Sequence, residues 1–77
     1  NCKTTVLPKD VGFEPGKTLQ TKAGKFHCYP RLKDVPNQKP GIIVGSSGFG
    51  TKQFLELVIQ GKNAGKEFGL TSGYHIF

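Results

Sequence analysis

The sequence has few of the residues from which small proteins usually build a large core. Its 77 residues include no tryptophan, no methionine and two cysteines, and only 35% of them are apolar. A chain of this length buries only about 60% of the surface that its unfolded form exposes, so its core is marginal. These counts predict a single domain over residues 1–77.

Other absences exclude whole classes of protein. No apolar run approaches the ~18 residues that a transmembrane helix requires, so no membrane span is expected. No Asn-x-Ser/Thr sequence is present, so N-glycosylation is not expected. The cysteines and the two histidines, His27 and His75, lack the spacing of a zinc site. We therefore predict no metal and no cofactor.

The two cysteines, Cys2 and Cys28, are predicted to form a disulfide. It would close a loop of about 26 residues and contribute roughly 3 kcal/mol, which a marginal core needs. Disulfides persist in oxidising compartments. The sequence also begins at Asn1 rather than Met, as it would after removal of a signal peptide. We therefore expect a secreted, extracellular protein.

The charge is strongly unbalanced. Ten lysines and one arginine against five acidic residues give a formal net charge of +6, which favours acidic partners. Sequence-specific recognition of base edges relies on arginine side chains, and this chain has one arginine. If the protein binds nucleic acid, we therefore expect it to discriminate little between base sequences. The candidate contact residues, interleaved with Phe26, are Lys25, Tyr29, Arg31, Lys33, Lys62 and Lys66. A solvated charged surface explains the same residues equally well.

Glycine and proline interrupt the chain throughout and leave only short apolar runs. This pattern predicts strands at residues 4–7, 17–21, 25–32, 41–44, 54–60 and 68–77. A type II turn is expected at Glu14-Pro15-Gly16, a hairpin loop at 62–66 and an exposed loop at 34–40. The fold prediction is all-β, a small six-stranded antiparallel β-sandwich or barrel with one disulfide.

Two segments admit alternatives. Residues 51–60 fit a helix capped by Thr51, or a strand with Leu55, Leu57 and Ile59 on one face, and the hairpin signal that follows favours the strand. Residues 45–52 resemble a phosphate-binding loop, but Thr51 precedes Lys52, which breaks the order of that motif. The segment is then a flexible connection between strands or a loop whose backbone N–H groups hold an anion.

One set of residues points to RNA cleavage, which needs a base, an acid and a cation near the phosphate. Phe26-His27-Cys28-Tyr29-Pro30 resembles the histidine-bearing segment of small fungal ribonucleases, and Glu56 resembles their strand-borne base. The terminal segment Leu70-Thr71-Ser72-Gly73-Tyr74-His75-Ile76-Phe77 resembles the Thr-x-x-His ending of microbial ribonucleases, with three residues instead of two between Thr71 and His75. This resemblance implies a ribonuclease that uses His27, Glu56 and His75, or an inactive ribonuclease-like RNA-binding protein.

A second resemblance concerns the whole chain. Its length, short strands, basic surface and Asn1-Cys2 opening before Val6-Leu7 resemble small fungal effectors. The group is the six-stranded, disulfide-stapled family that includes the rice-blast avirulence proteins and a wheat tan-spot toxin. The resemblance implies a secreted, non-enzymatic effector or toxin with a role in virulence, which binds a host protein through a strand edge or basic face. We expect a monomer, with translocation into the host cell as one route to its target. Of the two resemblances, we favour the effector, with the ribonuclease as the alternative.

Overall fold

The computed structural model describes residues 2–49, 52–62, 64–69 and 76–77. Within them five strands form a three-stranded and a two-stranded antiparallel sheet, which confirms the all-β prediction. Two helices of four residues each and one 3-10 turn, Leu32–Asp34, complete the described structure. The elements are β1 (Cys2–Lys3), α1 (Pro8–Val11), β2 (Thr18–Thr21), β3 (Gly24–His27), β4 (Pro40–Phe49), β5 (Lys52–Ile59) and α2 (Ala64–Glu67).

The β4–β5 hairpin is the centre of the larger sheet, whose order is β1-β5-β4. Pro40 pairs with Ile59 at one end and Phe49 with Lys52 at the other, with a register shift between Val44 and Gly48. The preference for a strand at 51–60 is confirmed over Lys52–Ile59. The strand predicted at 41–44 was too short, because β4 extends to Phe49, where pairing with β5 resumes at Gly48 and Phe49 after the irregularity. A phosphate-binding loop leading into a helix is therefore excluded.

The β2–β3 hairpin lies against the free side of β4. Cys28, directly after β3, forms a parallel bridge with Ile42. The turn that leads into β2 is the predicted type II turn, since Lys17 N donates to Glu14 O at 3.0 Å and Gly16 has a φ of 91°. Glycine adopts this positive φ without steric cost.

The first predicted strand was misplaced. The strand itself is Cys2–Lys3, and the predicted segment 4–7 continues beside β5 with only two backbone bonds. Thr4 N donates to Leu55 O at 3.1 Å, and Leu55 N donates to Val6 O at 2.9 Å. Pro8 then starts α1, because proline suits the first turn of a helix and cannot donate to a sheet.

The third predicted strand, 25–32, was too long. It ends at His27, and Pro30, which has no N–H to donate, separates it from the 3-10 turn. The predicted loop at 34–40 is exposed except for Val35, which is buried, and for Pro40, which begins β4.

The predicted hairpin loop at 62–66 was wrong. The chain turns at Gly61, Lys62 bridges back to Ile59, and α2 begins at Ala64. Ala64 is fully buried, and the ring of Phe68 packs edge-on against Phe26 with centroids 5.4 Å apart. Phe68 is therefore not in a strand, and residues 70–75 of the predicted strand 68–77 lie outside the described residues. The described residues contain no sixth strand.

The core lies mainly on one face of the larger sheet, where the β2–β3 hairpin and α2 cover it. Its buried members are Cys2, Phe26, Cys28, Ile42, Leu55, Leu57, Ile59, Ala64 and Ile76. A smaller cluster of Val35, Ile43 and Val58, with Tyr29 packed on it, occupies the opposite face. Leu55, Leu57 and Ile59 thus lie on one face of β5 and Val58 on the other, which confirms the predicted alternation of its side chains.

The predicted disulfide is not formed, and Cys2 and Cys28 are both buried free thiols. The strand register gives the reason. Cys2 pairs with Leu57, Leu57 pairs with Ile42, and Ile42 bridges to Cys28. The cysteines are thus three strand spacings apart, roughly 14 Å, whereas the Cα atoms of a disulfide are about 4.4–6.8 Å apart.

Candidate binding surfaces

The outer face of the β2–β3 hairpin is polar and exposed. Thr18 pairs with His27 and Gln20 with Lys25, and all four side chains are exposed. Because side chains alternate along a strand, the intervening Phe26 faces the core. Thr18, Gln20, Lys25 and His27 are called the hairpin face below.

The imidazole of His27 is held in place by two neighbours. Its Nδ1 lies 3.1 Å from the Thr18 hydroxyl, and its ring meets that of Tyr29 edge-on with centroids 6.5 Å apart. Tyr29 itself lies across Gly41, where an added Cβ would come within 2.6 Å of Tyr29 Cδ2. Tyr29 therefore supports the hairpin face, and glycine at position 41 makes room for it.

The outer edge of β2 has backbone groups with no hydrogen-bond partner among the described residues. Cys28 N donates to Lys17 O at 2.8 Å, so positions 17, 19 and 21 bond towards β3, and Thr18 and Gln20 point their N–H and C=O groups away from it. These groups form no backbone hydrogen bond with any residue that the structure describes. At the end of the edge, Lys22 N donates to Ile76 O. The segment from Thr18 to Gln20 is called the β2 edge below.

A second surface forms where Gln60 meets the 3-10 turn. The Gln60 side-chain amide donates to Leu32 O at 2.9 Å, and Gln60 N donates to Lys39 O at 3.3 Å. These bonds bring segments far apart in the sequence to one end of the molecule. The resulting group is called the Leu32 patch below and consists of Arg31, Leu32, Lys33, Lys39 and Lys62.

The Leu32 patch combines exposed cations with an exposed apolar side chain. Leu32 is 37% exposed and is the one large hydrophobic residue exposed in the described part of the chain. Arg31 Nε lies 3.5 Å from the Asp34 carboxylate, an exposed contact that contributes little to stability. Lys33, Lys39 and Lys62 are exposed and form no ion pair with a described residue.

The six predicted contact residues do not form one surface. Lys25 and the half-buried Tyr29 belong to the hairpin, Lys66 is exposed in α2, and the other three join the Leu32 patch. Phe26 was wrongly expected to interleave with them, because it is buried in the core. Sequence reasoning missed Lys39, since only the pairing of Gln60 with its backbone places it beside the others.

The structure does not bring His27 and Glu56 together. Glu56 lies in β5 with only 4% of its surface exposed, between its register partners Lys3 and Ile43. Its carboxylate occupies the space above Gly45 and forms no hydrogen bond or ion pair with a described residue. His27 is exposed on β3, whose backbone is about two strand spacings, roughly 10 Å, from that of β5. His75 lies outside the described residues.

The cysteine thiols offer no reactive centre. Burial raises the pKa of both Cys2 and Cys28, which keeps each sulfur in its unreactive protonated form. Within the described ranges, no group of three or more His, Cys, Asp or Glu side chains is arranged to hold a metal ion. No described helix is long and apolar enough to cross a membrane.

Comparisons with protein-family models, curated proteins and solved structures found no match to this chain. The candidate binding surfaces of the described residues are the hairpin face, the β2 edge and the Leu32 patch.

Proposed function

We propose that this chain is a non-enzymatic binding protein of the secreted effector or toxin type, and that it binds an acidic segment of a host protein. The observation that carries the proposal is the β2 edge, where the backbone groups of Thr18 and Gln20 form no hydrogen bond with a described residue and lie beside the exposed Lys25. An extended segment that adds to such an edge gains affinity from main-chain hydrogen bonds and specificity from neighbouring side chains.

The charges around the edge indicate which segment would bind. Lys17, Lys22 and Lys25 surround it, and all three are exposed. Lys17 contacts Glu14 at 3.2 Å, but an exposed pair of this kind leaves most of the positive potential in place. Acidic residues on an incoming strand would be attracted, whereas the same edge of a second copy would be repelled. Lysines at strand edges commonly prevent self-pairing, which also supports a monomer.

RNA cleavage is the alternative, and the geometry gives it less support. The exposed His27 is separated from the buried Glu56 by β4, and the Glu56 carboxylate forms no ion pair with a described cation, although Lys3 is its register partner on β1. RNA binding without cleavage usually relies on aromatic side chains that stack on bases. On the hairpin face the neighbouring aromatic residue is Tyr29, whose ring already packs over Gly41.

Secretion is the part of the proposal that rests on the sequence alone. The predicted disulfide was its main support, and Cys2 and Cys28 are free thiols instead. Strand addition at the β2 edge requires no disulfide, so the binding proposal does not depend on the compartment.

Binding can be tested with a fluorescently labelled peptide of alternating Glu and Val, which forms an extended strand with one acidic face. We expect the wild-type protein to bind it, and Lys25→Glu to weaken binding at least tenfold. Gln20→Pro should do the same, because proline removes an edge N–H that is not used in pairing with β3.

Lys9→Glu, the same charge change on α1, is the matched control and should stay within about twofold of the wild type. Circular dichroism of each variant would confirm that the fold is retained. Failure of the wild type to bind, or an equal loss in Lys25→Glu and Lys9→Glu, would contradict the proposed edge.

A further inference from the structure

We infer that the Leu32 patch is a second interaction surface, separate from the β2 edge, through which the protein associates reversibly with anionic lipid membranes. The inference rests on an exposed leucine at the same end of the molecule as four cations. Lys33 and Arg31 flank Leu32 in the chain, and the Gln60 hydrogen bonds bring Lys39 and Lys62 to that end.

The fold holds this arrangement through backbone groups. Leu32 O accepts from the Gln60 side chain, Lys39 O accepts from Gln60 N, and Gln38 N donates to Gln60 O at 2.8 Å. The Gln60 backbone is thus fixed at the end of β5, and Lys62 follows two residues later with its N–H bonded to Ile59 O. The cations are therefore attached to ordered backbone rather than to a free loop.

The composition of the patch favours a lipid surface over other acidic partners. Protein interfaces are enriched in aromatic residues and depleted in lysine, whereas this patch has three lysines and no aromatic side chain. Single-stranded nucleic acids stack on aromatic residues, which the patch also lacks. At a membrane, an aliphatic side chain can enter the headgroup region while lysine ammonium groups remain at the level of the phosphates.

The expected affinity is modest. Each lysine near an anionic surface contributes about 1 kcal/mol, which corresponds to about a fivefold gain in partitioning. Lys33, Lys39 and Lys62 together would give anionic membranes a preference on the order of 100-fold over neutral ones. One leucine is too small an anchor for permanent attachment, so binding should be reversible and sensitive to salt.

The absence of tryptophan permits a direct test. In a Leu32→Trp variant the only tryptophan reports on the patch. With vesicles of phosphatidylcholine and phosphatidylserine (70:30) at low salt, we expect its emission to shift to the blue. The shift should be absent with pure phosphatidylcholine and should be lost in 0.5 M NaCl.

Charge reversal identifies the surface. Lys33→Glu/Lys62→Glu in the Leu32→Trp protein should lower partitioning at least 25-fold, the product of two fivefold losses. Lys9→Glu/Lys22→Glu changes the net charge by the same amount at other sites and should lower partitioning into the vesicles less than fivefold. Co-sedimentation of the wild type and Leu32→Ala, neither with a tryptophan, should show weaker binding of Leu32→Ala.

Three outcomes would overturn the inference: no partitioning of the wild type, equal losses in the two double variants, or capture by an acidic peptide or RNA at this patch in preference to vesicles. Binding of the Glu–Val peptide to Lys33→Glu/Lys62→Glu should be unchanged. A failure at the patch is thus distinguishable from a failure at the β2 edge.

Discussion

Two glycines of β4 determine which large side chains fit on the second face of the sheet. Gly41 lies beneath the ring of Tyr29, and Gly45 lies beneath the carboxylate of Glu56. Any Cβ at position 45 would overlap that carboxylate, because Glu56 belongs to the neighbouring strand and is almost fully buried. Gly45 is therefore required by the packing of Glu56.

We expect Gly45→Ala to lower the free energy of unfolding by about 1–3 kcal/mol, the usual cost of overpacking a buried site. Urea unfolding would measure it. In a Glu56→Ala background the same change should cost at least about 1 kcal/mol less, because the overlapping carboxylate is gone. The same cost in both backgrounds would show that Glu56 is not the obstacle.

The buried thiols should make stability depend on alkaline pH. The pKa of Cys28 is raised by burial, so the folded state retains the thiol proton at a pH where the unfolded chain releases it. The free energy of unfolding should therefore fall as the pH rises from the ordinary cysteine pKa through the raised one. Urea unfolding between pH 7 and pH 10.5 would show a steeper fall for the wild type than for Cys28→Ala. Parallel curves would contradict this role for Cys28.

At the scale of elements, local patterns predicted the structure where strands are amphipathic and turns have characteristic residues. The alternation of Leu55, Leu57 and Ile59 was sufficient to predict β5. The pair Pro15-Gly16 was sufficient to predict the turn before β2. The extent of β4 could not be read from the sequence. Residues 45–49 have no strand pattern of their own, and β4 extends to Phe49 because Gly48 and Phe49 pair with Gln53 and Lys52 of β5.

The misassigned hairpin at 62–66 has a similar cause. Its turn residues suited a hairpin, but the burial of Ala64 and the contact of Phe68 with Phe26 favour a helical turn. Four residues are too few to form a stable helix alone, so these tertiary contacts hold α2 in place.

We expect Phe68→Ala to lower the free energy of unfolding by about 1–2 kcal/mol, less than for a fully buried ring because Phe68 is half-buried. Hydrogen exchange should show where the loss occurs. The Phe68 amide, which bonds Ala64 O at 3.0 Å, should lose protection while the amides of β5 keep theirs. Retained protection at Phe68 would show that α2 does not depend on this ring.

For the whole molecule, strand order determines where the basic residues and the cysteines lie, and that order could not be predicted from the sequence. The exposure of Lys25, Arg31, Lys33 and Lys62 was predictable from composition, but their division between two surfaces depends on the register of the sheets. The disulfide was predicted from the two cysteines and the marginal core, without knowledge of the strand order. It failed because β5 and β4 lie between the two cysteines.

A protein without a disulfide should be indifferent to reductant. A bridge closing about 26 residues would contribute roughly 3 kcal/mol, and each kcal/mol shifts the Tm of a domain this small by about 4–8 °C. We expect the Tm of protein purified without reductant to change by less than about 2 °C on addition of dithiothreitol. A fall of more than about 10 °C would show that the cysteines are joined.

We propose that the protein acts by binding and that His27 and Glu56 are not a catalytic pair. Incubation with total RNA checks this proposal, with the wild type compared with His27→Ala and Glu56→Ala. The separation of the two side chains by β4 predicts that the wild type leaves the RNA intact. Cleavage by the wild type that is lost in both variants would instead establish a ribonuclease that uses His27 and Glu56.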